Sequence, residues 1–215
     1  MWGMFNFNGP LMQVLNKILS CLVLSILFLL SCLPVVTIGA ALSALYYTIQ
    51  KTLKNDRGYV VGTYFQCIKD NWRQTIPMGI LFVALFLVFQ TDSWILQEVA
   101  ENGYDFGNAY VLFEVLKVIV VVYAIWVFAY IARFELKATK ILKNVSLLMI
   151  RHLLTSLLLL VILVLGGVAM YILPITACIL PVVMMWFATA LMEKVFHKYM
   201  SEEEKKLEME RNRIY

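Results

Sequence analysis

Eighteen lysines and arginines punctuate this chain in clusters separated by long uncharged apolar blocks, and that alternation restricts it to a polytopic membrane protein. One basic residue lies near the start (Lys17), five fall in 51–73, one is Lys117, five fall in 133–151 and six follow position 192. The segment 92–107 has none and carries Asp92, Glu98, Glu101 and Asp105. Short loops rich in Lys and Arg stay in the cytoplasm, so 92–107 is expected outside and the basic segments inside. An apolar content of 62% with 15% charged residues departs from the roughly 45–50% and 25% of a soluble domain, so lipid has to cover most of this surface. The net charge of +4 then reflects inner loops facing anionic lipid. No basic and aromatic groove accompanies it, and no nucleic-acid partner is expected.

A bilayer core of about 30 Å needs roughly 20 helical residues. The block from Leu15 to Ile49 is too long for one such helix, and Pro34 interrupts it. Proline removes a donor and disfavours helix in the residue before it, so a break at Leu33–Pro34 predicts two spans, 16–33 and 35–52. One long kinked helix is the alternative, and it gives five spans in place of six. Residues 53–74 read as a cytoplasmic connection. Within it, Tyr59 to Asn71 is amphipathic, with Tyr64, Phe65 and Ile68 toward lipid and Lys69 and Asp70 wet, as in an interfacial elbow helix. Pro77 suits a helix start, so the next span is expected from there to Leu96, with Trp94 as an interfacial anchor. A further helix is expected over 110–133, continuing to Lys143. Glu114 and Lys117 lie three apart near its outer end, where they can pair and the lysine can snorkel outward. Spans over 152–171 and 175–192 complete an all-α, six-helix domain covering 1–200. Pro174 separates those last two. The tail 201–215 reads as a solvated, polar cytoplasmic helix capped by Ser201. With six spans both termini lie inside. The start, Met1 to Pro10, lacks a basic n-region and a cleavage site, so no cleaved signal peptide is expected.

Chemistry-bearing patterns are sparse. Cys21, Cys32, Cys67 and Cys178 lack metal-ligand or redox spacing and read as small hydrophobes. His152 and His197 sit beside basic residues at span ends, where solvated interfacial roles fit. No phosphate-binding Gly-x-x-x-x-Gly-Lys-[Ser/Thr] run is present, which excludes an ATP-hydrolysing subunit of that type. No cofactor and no enzymatic role are expected. Ionisable groups near the apolar spans on the outer side are Asp92, Glu114 and Lys117, the candidate outer polar cluster for a transporter reading. Thr37 to Ala40 and Ser43-Ala44 give the second helix a small-residue face suited to close packing.

The run Leu33-Pro34-Val35-Val36-Thr37-Ile38-Gly39-Ala40, then Ala44-Leu45-Tyr46-Tyr47, then Tyr64-Phe65 and Lys69-Asp70-Asn71-Trp72, resembles the YesL-like family of bacterial membrane proteins, a domain of unknown function. The opening Phe5-Asn6 to Gly9-Pro10 matches as well. The specific part is 31–73, and the remainder agrees in hydropathy and loop polarity. The resemblance marks Pro34, Thr37, Gly39, Ala44 and Tyr46 as a family motif that serves helix packing. Phe65, Lys69, Asn71 and Trp72 form a candidate partner-docking elbow. It implies a Gram-positive cell-membrane protein encoded beside carbohydrate ABC importers, and hence an accessory subunit whose partners are the lipid bilayer and ABC permease subunits. Two other classes remain: a small autonomous transporter or channel, and a membrane sensor or scaffold acting through the elbow and tail.

Overall fold

The computed structural model describes residues 10–55, 58–102, 109–134, 136–173, 175–176 and 179–200, with side chains from residue 15 onward. Among these residues all regular structure is helical: α1 (Pro10–Cys32), α2 (Ile38–Thr48), α3 (Val60–Glu101), α4 (Ala109–Arg133), α5 (Ala138–Arg151), α6 (Leu153–Ile172) and α7 (Leu180–Tyr199). The protein is an all-α, polytopic membrane protein. Among the described residues four helices, α1, α3, α4 and α6, are long and apolar enough to cross a bilayer. The tail 201–215 and the opening motif through Gly9 lie outside the described residues, as does Cys178.

The first break falls where proline puts it. Pro34 is extended (φ −78°, ψ 117°), and a single 3-10 turn, Val35–Thr37, leads into α2. The Thr37 hydroxyl donates to the Ser31 carbonyl at 2.5 Å, one that the end of α1 leaves without a helical partner, and lies 2.8 Å from the Pro34 carbonyl in the turn. The second span differs from the expected one. α2 has 11 residues and rises only about 16 Å before a π-helical turn, Ile49–Lys54, closes it. Its small side chains leave no lipid-facing stripe: Ala40, Ala41, Ser43, Ala44, Leu45 and Tyr46 are all buried. α2 is therefore a helix wrapped by protein. The sixth expected span begins later than foreseen, at Leu180, and carries Glu193, Lys194 and Lys198 in its last turns. Where six spans are expected, four helices among the described residues have spanning length and apolarity, with α2 too short and α7 too polar at its end.

Two further boundaries differ. The elbow is not a separate helix, because α3 runs unbroken for 42 residues with Pro77 inside it. A proline within a helix removes one backbone donor, a loss that packed neighbours make tolerable in a membrane bundle. At about 63 Å, α3 is roughly twice the hydrocarbon thickness, so its first turns project beyond the core at the basic end. α4 stops at Arg133 instead of continuing to Lys143, and α5 forms a new amphipathic helix. Ile141, Val145 and Leu148, at i, i+4 and i+7, are buried, while Lys140, Lys143 and Arg151 are exposed. The Gln74 amide donates to the Leu136 carbonyl at 2.8 Å and ties the α4–α5 linker to α3.

Gly39 is where α2, α3 and α4 meet. A Cβ there would lie 2.6 Å from the Phe128 ring and 2.7 Å from the Thr75 carbonyl oxygen, and one on Gly79 would lie 3.3 Å from the Gly39 nitrogen. The Ser43 hydroxyl, one turn on, donates to the Phe128 carbonyl at 2.9 Å. Gly167, in contrast, has nothing within 4 Å. Gly39→Ala should therefore lower stability by about 1–3 kcal/mol, the usual cost of overpacking. Gly167→Ala should be neutral or stabilising by up to about 1 kcal/mol, the helix-propensity difference. Thermal unfolding in mild detergent checks the pair, and equal midpoints for the two variants would contradict the close approach.

Candidate functional site

Among the described residues two groups built around a buried charge lie within the helical bundle, Lys117 toward one end and Glu193 toward the other. The group toward the acidic end joins α3 to α4. Lys117 is 7% exposed, and its ammonium donates to Gln90 Oε1 and to Glu114 Oε1, each at 2.6 Å. The Ser93 hydroxyl also donates to Glu114 Oε1, at 2.6 Å. The i,i+3 pair expected from the sequence forms, but Lys117 turns inward between the helices instead of snorkelling. The reason is local: Gln90 and Glu114 supply acceptors that make burial of the ammonium cheaper than it would be alone. Asp92 does not join the group. It is half-buried on α3 and has no ion-pair partner among the described residues.

The group toward the basic end centres on Glu193 of α7, which is 7% exposed. The Tyr46 hydroxyl of α2 donates to Glu193 Oε1 at 2.5 Å. Glu193 Oε2 lies 3.3 Å from Arg133 of α4 and 3.6 Å from His197 one turn along α7. These last two are ion-pair distances without a directed hydrogen bond. Nearby, burial lowers the pKa of Lys54, and the negative charge of Glu193 works against that shift. The residues around the carboxylate form an aromatic shell. Phe196 packs edge-on against Tyr46, Trp126, Tyr130 and Phe134 with centroids 5.7–6.3 Å apart.

Sequence reasoning misses this constellation, because Glu193 and His197 look like ordinary inner-face charges. Tyr46 reads from the sequence as a packing residue, and the structure gives its hydroxyl a specific acceptor. The carboxylate has a donor and a guanidinium on it, from two other helices. A carboxylate held from two other helices is fixed in place, which suits a structural clamp. Among the described residues no group of His, Cys, Asp and Glu is arranged to hold a metal ion.

The remaining motif residues divide by exposure. Gly39 and Ala44 are buried at the helix junction, and Pro34 and Thr37 shape the break before it. Phe65 (53% exposed), Lys69 and Trp72 (48% exposed) lie at i, i+4 and i+7 and form one exposed strip on the projecting end of α3. Asn71 faces the other way and donates to the Cys67 carbonyl at 3.1 Å. Arg73 lies over the Trp72 ring, 5.6 Å from its centroid.

Residues 21–93 match a family model described as "Protein of unknown function, DUF624". The matched stretch takes in most of α1, the Pro34 break, α2 and α3 as far as Ser93. It holds Tyr46 of the inner group and Gln90 and Ser93 of the outer one, but not Glu114, Lys117, Arg133 or Glu193. No curated protein and no solved structure matches the chain.

Removing one member of a buried ion pair strands the other, so Glu193→Ala and Arg133→Met should each cost about 3–5 kcal/mol. The double variant should lose clearly less than the sum, leaving a coupling energy within the roughly 0.5–3 kcal/mol found for contacting pairs. Unfolding midpoints of the four proteins in the same detergent give the cycle. Strict additivity would show that Glu193 and Arg133 do not clamp α7 to α4.

Proposed function

We propose that the protein is a non-enzymatic accessory subunit of the cell membrane that associates with the permease of a carbohydrate ABC importer. The observation that carries this reading is the state of the charges inside the bundle. Lys117 is engaged by Gln90 and Glu114, and Glu193 by Tyr46, Arg133 and His197. A transporter needs ionisable groups that exchange partners with a substrate or ion, and such groups face a path through the bundle. Here they are held by neighbouring helices, and they stabilise the arrangement of α2, α3, α4 and α7.

The exposed strip Phe65, Lys69 and Trp72 supplies a contact surface with two large aromatic side chains, the residue type that dominates binding energy at interfaces. It projects from the basic end, which positive-inside bias assigns to the cytoplasm, so both chain termini are cytoplasmic in this reading. Permeases of ABC importers are met there by their ATPase subunits, and a strip beside that junction suits an accessory subunit. The saccharide context comes from the resemblance of 31–73 to YesL-like proteins.

Affinity isolation of the tagged chain in a mild detergent, with the captured proteins quantified by mass spectrometry, tests the reading. A carbohydrate-importer permease should be recovered in near-stoichiometric amount. Phe65→Ala combined with Trp72→Ala should reduce that recovery roughly tenfold, the loss of about 1.4 kcal/mol or more at two anchors, with little change in unfolding temperature. Recovery of the chain without a permease, or with a cytosolic regulatory protein in its place, would contradict it.

A further inference from the structure

We infer that the cleft at the basic end of the bundle binds the phosphate-bearing headgroup of an anionic membrane lipid. Two cavities of about 950 and 700 Å³ share Tyr47, Arg133 and Phe134 and form one cleft bounded by α3, the α4–α5 linker and α7. Its charges are unevenly distributed. Arg73, Lys137 and Arg151 line it against a single described carboxylate, Asp70, while the charge of Arg133 is matched by Glu193. Glu135 lies outside the described residues, and the balance stays positive even with it set against them. Arg73, Lys137 and Arg151 have no ion-pair partner among the described residues.

The other wall of the cleft is apolar, formed by Pro77, Met78 and Leu81 of α3 and Leu142 of α5. Its depth in the bilayer is set by the sequence of α3. Arg73 precedes a charge-free stretch, 74–91, whose 18 residues rise about 27 Å, close to the hydrocarbon thickness of about 30 Å. Arg133 likewise closes the charge-free block of α4, and Arg151 precedes that of α6. The cleft therefore straddles the boundary, with guanidinium and ammonium groups at headgroup level and the apolar wall below it. Trp72, under the Arg73 guanidinium, occupies the depth at which amphipathic aromatics settle.

A soluble anion uses only the basic half of such a cleft, whereas an anionic phospholipid uses both. Its phosphate can take charge-assisted hydrogen bonds from Arg73 and Lys137, and an acyl chain can lie along Pro77 to Leu81. The walls are already set: the Gln74 amide on the Leu136 carbonyl fixes the linker that carries Lys137 to the helix that carries Arg73. Little ordering is then left for the ligand to impose.

The test uses the full chain in a mild detergent, with phosphatidylglycerol, phosphatidylcholine or inorganic phosphate as the probe and native mass spectrometry as the readout. Phosphatidylglycerol should be retained in preference to phosphatidylcholine. Arg73→Gln with Lys137→Gln should weaken its retention roughly tenfold or more, given the attraction of each basic residue for anionic lipid. Lys140→Gln with Lys194→Gln removes the same charge from exposed positions outside the cleft and should leave retention unchanged. All four residues are exposed, so both variants should keep the parent unfolding temperature in phosphatidylcholine. Equal retention of the two lipids would overturn the site, as would equal weakening by both double variants. Binding of inorganic phosphate that displaces no lipid and is lost in the Arg73/Lys137 variant would replace the lipid by a soluble phosphate ligand.

Discussion

A carboxylate closed off from water inside a membrane protein has to be matched by donors and positive charge, and Glu193 imposes that condition on this bundle. The Tyr46 hydroxyl and the Arg133 guanidinium meet it from two other helices. The consequence is geometric. Because one oxygen accepts the Tyr46 hydroxyl and the other faces the Arg133 guanidinium at ion-pair distance, the last turns of α7 cannot slide past α2 or α4 without stranding a charge. Phe196, one turn along, then packs in a fixed register against Tyr46, Trp126, Tyr130 and Phe134. Polar and aromatic contacts agree on one arrangement, which is what specifies a bundle whose lipid-facing surface offers no hydrophobic force between helices.

The same condition explains which helices are central. The Leu- and Val-rich α6 is the most apolar of the spanning helices, yet much less of it is buried inside the bundle than of α4. Hydropathy measures suitability for lipid, and α6 faces lipid. The central positions instead go to helices with small or hydrogen-bonding residues. Gly39 admits Phe128, Ser43 holds the Phe128 carbonyl and Tyr46 reaches Glu193, all from the short helix α2. A run of larger side chains at Gly39 to Ala44 could not enter between α3 and α4.

How much of this is legible in the sequence depends on whether the signal is local. The break at Pro34 is legible because proline acts on its own backbone and the residue before it. The Glu114–Lys117 pair is legible because helical residues three apart are neighbours. Pro77 is ambiguous, since a proline fits both the first turn of a helix and the interior of a supported one, and tertiary support for α3 does not show in spacing. The stop at Arg133 escapes detection for a related reason: apolar and basic residues continue through 134–151, and the linker owes its course to the Gln74 amide 62 positions away. Tyr46 and Glu193 are 147 positions apart, so no periodicity points from one to the other. Depth alone groups Asp92 with Glu114 and Lys117, whereas rotation about α3 presents Gln90 and Ser93 to them instead.

In the reading we propose, charges inside this bundle serve packing, and function is exerted through surfaces at the basic end: an aromatic strip proposed for a protein partner and a basic, half-apolar cleft proposed for lipid. On that proposal, this chain moves no solute by itself. The most direct measurement is uptake of labelled saccharide, and of protons by an internal dye, into liposomes that contain only the purified chain. The expected result is uptake indistinguishable from protein-free vesicles under either an imposed proton gradient or a saccharide gradient. Uptake above that background, abolished by Glu114→Gln in protein that still folds, would contradict the claim and make the Gln90, Ser93, Glu114 and Lys117 group a transport site.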